Sequence, residues 1–317
     1  MNETYIHIGM PRTATTFFQK HVFSNLSNIS FYGTETAYYS EPFNKLQYAD
    51  DSFYDVAVFN DFLKSINNKN CLISNEYFCG QSTYFNFVNR TTIANRLYEL
   101  FPKANILLVL RNQIDLLQSL YAINVQWKET KKIDEFIWMN NSGKTKRDSG
   151  GAAPAYFNTS EAYETLDGYD YNSLIKTYKE KFENVTVLLF EEFISSPTSF
   201  SEKLATFFNL DKELVIKSIS ENKAINEGVT RVQAEKLIKL NRFYEWSEAT
   251  AFNKKIYNKF KRSILQNNRN GDKPRFSNEK IAELKNYFKP LNEKLNNDYP
   301  ELGLLHYADN YYLEDLV

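Results

Sequence analysis

The segment "IHIGMPRTATTFFQK" (residues 6–20) gathers groups that suit an anion. An apolar run ends at Gly9, a tight turn carries Arg12, Thr13 and Ala14, and Thr15, Thr16 and Phe17 open a helix. Backbone N–H groups at a helix start, with the helix dipole, favour negative charge. Arg12 adds a fixed cation, and the three threonine hydroxyls add donors. A nucleotide-binding loop would read G-x-x-x-x-G-K-[ST]. Counted from Gly9, Ala14 stands at the second glycine and Thr15 at the lysine. The absent lysine argues against a β,γ-phosphate ligand. The simpler alternative is a strand, a turn and a helix with threonine caps.

Two further places carry chemistry-bearing residues. In "LLVLRNQIDLLQSLY" (107–121), Arg111 sits where an apolar run ends, and Ser119 lies about two turns into the following helix. Open α/β sheets bind ligands at the carboxyl ends of their strands. A guanidinium and a hydroxyl converging there suit a second phosphate. The alternative is a capping arginine and a surface serine. In "CLISNEYF" (71–78), Glu76 follows a short apolar run and is a candidate general base, or else a salt-bridge partner. The three histidines are His7, within the first strand, His21, in the helix after it, and His306. His7 and His21 read as structural or surface residues. Cys71 and Cys79 flank Glu76 and read as buried or incidental thiols rather than a redox pair. "KTKR" (144–147) is a basic run suited to an anionic acceptor or, by default, to solvent. Tyr38, Tyr39, Tyr84, Phe85, Phe87, Tyr156 and Phe157 lie in irregular stretches, as stacking surfaces for an acceptor or as core.

The elements that must position these groups alternate. "TYIHIG" (4–9), "CLISNE" (71–76), "ANILLVL" (104–110) and "NVTVLLF" (184–190) read as strands. The continuous apolar run at 104–110 predicts a strand buried on both faces, as in a parallel sheet. Helices are expected over 15–26, 93–101 and about 113–126, and Pro197 should open another. From Val232 the chain reads mainly helical, and Pro290 should break or kink the segment 278–295. The pattern predicts an α/β class with a central, mostly parallel sheet flanked by helices. Residues 140–160 read as a long loop, a lid or an ordinary insertion.

Bulk properties narrow the classes. The chain has 317 residues, 43% of them hydrophobic, enough to bury a sizeable core. A formal charge of −1 disfavours a general nucleic-acid binder and leaves room for a local basic pocket. No apolar stretch reaches membrane-spanning length, and the N-terminus does not read as a signal peptide. Two cysteines and no Cys/His cluster for zinc suggest a reduced, cytoplasmic setting.

Taken together, the motifs resemble those of the sulfotransferases that use 3′-phosphoadenosine 5′-phosphosulfate (PAPS). "MPRTATTFFQ" is similar to the family's 5′-phosphosulfate loop, P-K-[ST]-G-T-T-x-L, with Arg12 at the usual lysine and Ala14 at the usual glycine. "RNQIDLLQSLY" is similar to its 3′-phosphate motif, an arginine followed by a serine after seven residues. "VTVLLFEEFISSPTSFSEKLATFFNL" (185–210) is similar to the family's later strand–helix unit, and "RFSNEKIAELKNYFKPLNEKL" (275–295) to the C-terminal helical tail of many bacterial members. The resemblance spans nearly the whole chain except about 128–168. It implies a P-loop-related fold in one domain over residues 1–317, with a variable acceptor loop at 128–168 and a mainly helical part at 231–317. It implies PAPS as sulfuryl donor, PAP as product and no metal. Residues Arg12 to Phe17 would hold the 5′-phosphate, Arg111 and Ser119 the 3′-phosphate. Glu76, as in carbohydrate-type members, would be the catalytic base, and Arg12 would stabilise the leaving phosphate oxygen. The acceptor would be a glycan, lipid or other alcohol, or alternatively a sterol or phenol. A P-loop small-molecule kinase and an inactive nucleotide-binding protein are the alternative functions.

Overall fold

Four of the expected apolar runs, and one short strand not foreseen, pair into a single parallel sheet. The computed structural model describes residues 2–82, 87–137, 144–145, 164–222, 228–267 and 269–316. The strands are β1 (Thr4–His7), β2 (Ser30–Tyr32), β3 (Cys71–Ser74), β4 (Asn105–Leu110) and β5 (Asn184–Leu189), in the spatial order β2-β3-β1-β4-β5. Strand β3 is buried throughout and β4 from its second residue on, as expected for strands covered on both faces. This confirms the α/β class with a parallel central sheet.

The order has a consequence for binding. From β1 the chain crosses to β2 on one side, and from β4 it returns to β5 on the other. The loops after β1 and β4 therefore diverge, the strand arrangement at which open α/β sheets bind ligands beyond the carboxyl ends. Those loops are the ones that carry Arg12 and Arg111.

Helix formation after β1 differs from the expected regular turn pattern. The segment is α-helical over Thr15–Phe17 (α1), π-helical over Phe18–Val22 and 3-10 over Phe23–Asn25. The Phe23 N–H bonds to the carbonyls of Phe18 and Gln19. A five-residue step brings Phe18 and Phe23 onto one side, where both rings are buried and stack at 6.0 Å. They join Tyr5, Phe17, Phe200 and Phe208 in the core on one face of the sheet.

The chain divides into two compact units. The first comprises residues 1–112, 167–225 and 290–317 and holds the five-stranded sheet. It also contains helices α2 (Arg90–Leu100), α4 (Tyr171–Lys179), α5 (Phe190–Ser195) and α6 (Pro197–Phe208). The second comprises residues 113–166 and 226–289. It is built from α3 (Gln113–Trp127), α7 (Arg231–Asn241), α8 (Tyr244–Glu248) and α9 (Ala251–Gln266), around Tyr121, Val125, Leu237 and Ile238. Helix α10 (Asn278–Asp298) begins in the second unit and ends in the first.

Of the break or kink expected at Pro290, the break does not occur: the helix runs through it from Asn278 to Asp298. Leu284 and Phe288 before it and Asn292 and Leu295 after it are buried. Packing on both sides offsets the hydrogen bond that proline removes. The proline falls where the chain passes from one unit to the other.

Within the long loop only Lys144–Thr145 is described, as a two-residue strand paired antiparallel with Glu164–Thr165. The remainder of 140–160, with Tyr156 and Phe157, lies outside the described residues, as do Tyr84 and Phe85.

Candidate functional site

The loop after β1 and the turn after β3 meet because of register. Strand β1 pairs with β3 in parallel, with His7 opposite Ser74. Two residues further along each chain lie Gly9 and Glu76. Gly9 has φ +104, and a Cβ built on it would stand 2.7 Å from the Glu76 carbonyl oxygen. Only glycine permits that backbone approach and that φ. On its other side the loop stays bound to β4: the Met10 N–H donates to the Val109 carbonyl at 2.9 Å, and the Val109 N–H to the Gly9 carbonyl at 2.8 Å.

Beyond Met10 the loop alternates handedness. Arg12 and Ala14 both adopt left-handed backbone, at φ 65 and 64. Such alternation turns successive N–H groups toward one concavity, a geometry that suits anions. The Thr13 hydroxyl donates to the Met10 carbonyl at 2.6 Å, so this side chain shapes the loop. Thr15 is buried, with its hydroxyl 3.4 Å from the same carbonyl and hydrogen-bonded to Glu76. Thr16 is partly exposed. Phe17 turns its ring into the core against Phe18 and Phe193, so only its backbone can serve a ligand.

Glu76 opens a 3-10 turn, Glu76–Cys79, whose first N–H groups are met by side chains. The Asn75 Oδ1 accepts from the Tyr77 N–H at 2.8 Å, and the Tyr38 hydroxyl accepts from the Glu76 N–H at 3.0 Å. Burial raises the Glu76 carboxyl from 4.5 to about 6, while the Arg12 guanidinium and the Thr15 hydrogen bond pull it down. A carboxyl tuned toward neutrality next to a cation, at the carboxyl ends of two neighbouring strands, has the properties of a general base.

Of the histidines, His7 is closed off from that role. His7 is fully buried, its Nδ1 is 2.8 Å from the Ser74 Oγ, and burial lowers its pKa from 6.5 to about 3. It stays neutral inside the core. His21 lies with its ring 5.2 Å from that of Phe17, and His306 is exposed. Cys71 and Cys79 are free and buried, and burial pushes the Cys79 thiol up to about 12.

Arg111 connects the second motif to the first. Its Nη1 donates to the carbonyl of Arg12 at 3.1 Å, and its guanidinium lies 4.6 Å from the centroid of the Phe190 ring. The Arg111 carbonyl accepts from the Tyr171 hydroxyl at 2.6 Å. The next residue is held more tightly still. The Asn112 N–H and Nδ2 donate to one oxygen of Glu191, at 2.9 and 3.2 Å, and the Tyr311 hydroxyl donates to the other at 2.9 Å. Glu191, Tyr171 and Tyr311 escape a reading from sequence. The one local signal is the "FEEF" that follows the apolar run of β5. Ser119 belongs to the second unit and is partly exposed on α3.

No family model matches the chain, and no curated protein matches it in sequence. Among solved structures, a sulfotransferase from Alicyclobacillus acidocaldarius is similar at 17% identity and a TM-score of 0.45, over 77% of this chain and 92% of that one. The mouse sulfotransferase SULT7A1, complexed with PAP, is similar at 12% identity and a TM-score of 0.34, over 90% of this chain and 89% of that one. Both likenesses are loose.

Proposed function

We propose that the chain is a PAPS-dependent sulfotransferase that sulfates an alcohol, with Glu76 as general base. The observation that carries this reading is the convergence of Arg12, Thr15 and a carboxyl raised to about 6 at the ends of β1 and β3, with Arg111 bonded to the same loop. The resemblance of the motifs names the donor, and the site offers it suitable groups. The left-handed residues Arg12 and Ala14 shape an N–H concavity for a 5′-phosphate. Arg12 supplies positive charge there, and Arg111 supplies a second cation for a 3′-phosphate. The assignment of Ser119 to that phosphate rests on the motif resemblance.

PAPS, when bound, supplies the sulfuryl group that passes to the acceptor oxygen and leaves PAP. Glu76 takes the acceptor's proton, and its raised pKa makes it a better acceptor than an ordinary carboxylate. Arg12 stabilises the negative charge that develops on the donor's phosphate oxygen, and it holds Glu76 ionised near neutral pH. A lysine could also donate a proton there, whereas arginine keeps its charge throughout. The lysine of a nucleotide loop is dispensable when one 5′-phosphate, rather than a β,γ pair, is cradled. The acceptor is proposed to be a glycan, lipid or other small alcohol, and the setting cytoplasmic.

Calorimetry with PAP in a metal-chelating buffer, followed by transfer of labelled sulfate to a panel of alcohols, tests this reading. PAP should bind without divalent metal and raise stability by about 2.7 kcal/mol at 100-fold excess over Kd. Preference for ATP, or a strict Mg²⁺ requirement, would favour a kinase. PAP binding with no transfer to any acceptor class would indicate an inactive nucleotide-binding protein.

A further inference from the structure

Helix α9 and the turn before it present a surface that the sulfotransferase reading does not use. The helix is anchored on one side within the second unit. Tyr257 is buried, its hydroxyl donates to the Asn241 Oδ1 at 2.6 Å, and Ile264 and Leu265 pack against the cluster containing Tyr121 and Leu237. Phe252, Ile256 and Phe260 fall four residues apart, on one stripe along the helix. Phe252 is 70% exposed and Phe260 58%. Just upstream, Phe243 is 61% and Trp246 48% exposed. Single exposed apolar residues are ordinary, but Phe252 and Phe260 share one stripe of this helix, and two more exposed rings lie in the segment just before it.

A second stripe runs beside the first. Lys255, Lys259 and Arg262 are exposed and also fall at helical spacing, and none has an ion-pair partner among the described residues. Residues 251–266 hold five Lys or Arg and no Asp or Glu, in a chain whose formal charge is −1. A run of lysines alone would be a solvated face. Here the cations border rings that water does not stabilise. Apolar and basic stripes side by side on a helix are the arrangement that lies flat in a membrane interface, with rings below the headgroups and cations against anionic lipid. Tryptophan at the edge of such a patch suits the headgroup level. A second copy of the same surface would bring like charges together, which disfavours self-association.

We propose that this face, formed by α9 with Phe243 and Trp246, adsorbs to an anionic lipid surface. The proposal stands apart from the sulfotransferase reading, since neither stripe contains a residue of the candidate site.

Co-sedimentation of the full chain with phosphatidylcholine vesicles, with and without phosphatidylserine, tests it. Binding should require phosphatidylserine. It should collapse when salt rises from about 0.1 to 1 M, as the Debye length falls from about 10 to 3 Å. The triple variant Lys255→Gln, Lys259→Gln, Arg262→Gln should bind on the order of 100-fold more weakly, at roughly fivefold per cation. The double variant Phe252→Ser, Phe260→Ser should bind roughly tenfold more weakly while keeping the salt dependence. These side chains are exposed, so circular dichroism should show both variants folded, and PAP affinity should match the wild type. Absence of binding, equal binding to neutral vesicles, or unchanged binding by the triple variant would overturn the proposal. So would a dimer by light scattering that the phenylalanine variant abolishes, or tighter binding to single-stranded nucleic acid than to vesicles.

Discussion

Two carboxylates stand just beyond strand ends in the first unit, and their surroundings give them opposite characters. Glu76, after β3, is partly exposed, faces Arg12, accepts from the Thr15 hydroxyl and has a pKa raised to about 6. Glu191, after β5, is buried, and its two oxygens are occupied by the N–H and amide of Asn112 and by the Tyr311 hydroxyl. A fully satisfied buried carboxylate rigidifies what it holds, here the residue next to Arg111. A carboxylate with a cation beside it and room for a further partner can exchange a proton. The type of residue is the same; the number of donors already committed to it decides between reactivity and support.

The strongest way to break this contrast is to remove the proton acceptor at Glu76. Glu76→Gln should lower turnover by two to four orders of magnitude, on the order of 3–5 kcal/mol, with PAP affinity held within about 1 kcal/mol. The acidic limb of the wild-type pH–rate profile should lie near pH 6, where activity rises as Glu76 ionises, and it should vanish in the variant. Steady-state rates across pH, with isothermal titration of PAP, measure both. Turnover near that of the wild type would place the base elsewhere.

Glu191→Ala should do the reverse. Three donors lose their acceptor in a buried setting, so stability should fall by on the order of 3 kcal/mol in a denaturant titration. Turnover per folded molecule should stay within about tenfold. A larger loss of turnover at intact stability would make Glu191, not Glu76, the reactive carboxylate.

Arg111 sits between the two clusters and sharpens the comparison. Arg111→Ala should weaken PAP binding by roughly 1.5–3 kcal/mol through the lost charge-assisted contact. It should also weaken a 3′-dephospho analogue by about 1 kcal/mol, because Nη1 supports the Arg12 carbonyl. Competition binding with the two ligands separates these parts. Equal losses would show that Arg111 acts only by holding the loop.

The smallest expected effect is at Ala14. Left-handed backbone costs a non-glycine residue about 1–2 kcal/mol, and glycine loses about 0.5–1 kcal/mol more conformational entropy on folding. Ala14→Gly should therefore raise stability by between about 0 and 1.5 kcal/mol. A net loss in differential scanning fluorimetry would mean that the strain at Ala14 is already relieved.

Much of this was legible along the chain. The strands at 71–76 and 104–110 follow from apolar runs, because a strand inside a parallel sheet is covered on both faces; the run at 184–190 also forms a strand, but at the sheet edge, where only Leu188 and Leu189 are buried. The helices after Gln113 and Pro197 follow from local periodicity and from proline's fit to a first turn. Glu76 was visible as a carboxylate just past a strand. The π-helical step after Phe17 was not, because it answers to the packing of Phe18 against Phe23 rather than to propensity. Nor was the fate of Pro290, since buried residues on both sides of it hold the helix together.

What the sequence by itself determined is the set of elements and the kinds of group at their ends: apolar runs of strand length, a glycine after the first, arginines at 12 and 111, a carboxylate at 76. Tertiary structure alone decided which of these meet. The register of β1 against β3 sets Gly9 against the Glu76 backbone, and burial then lifts the pKa of that carboxyl. Pairing of β1 with β4 brings Arg111 to the Arg12 carbonyl from 99 positions away. Tyr311 reaches Glu191 from 120 positions away. Local sequence encodes local dihedral preference and polarity, whereas a pKa or a hydrogen-bond partner depends on neighbours that only the folded chain supplies.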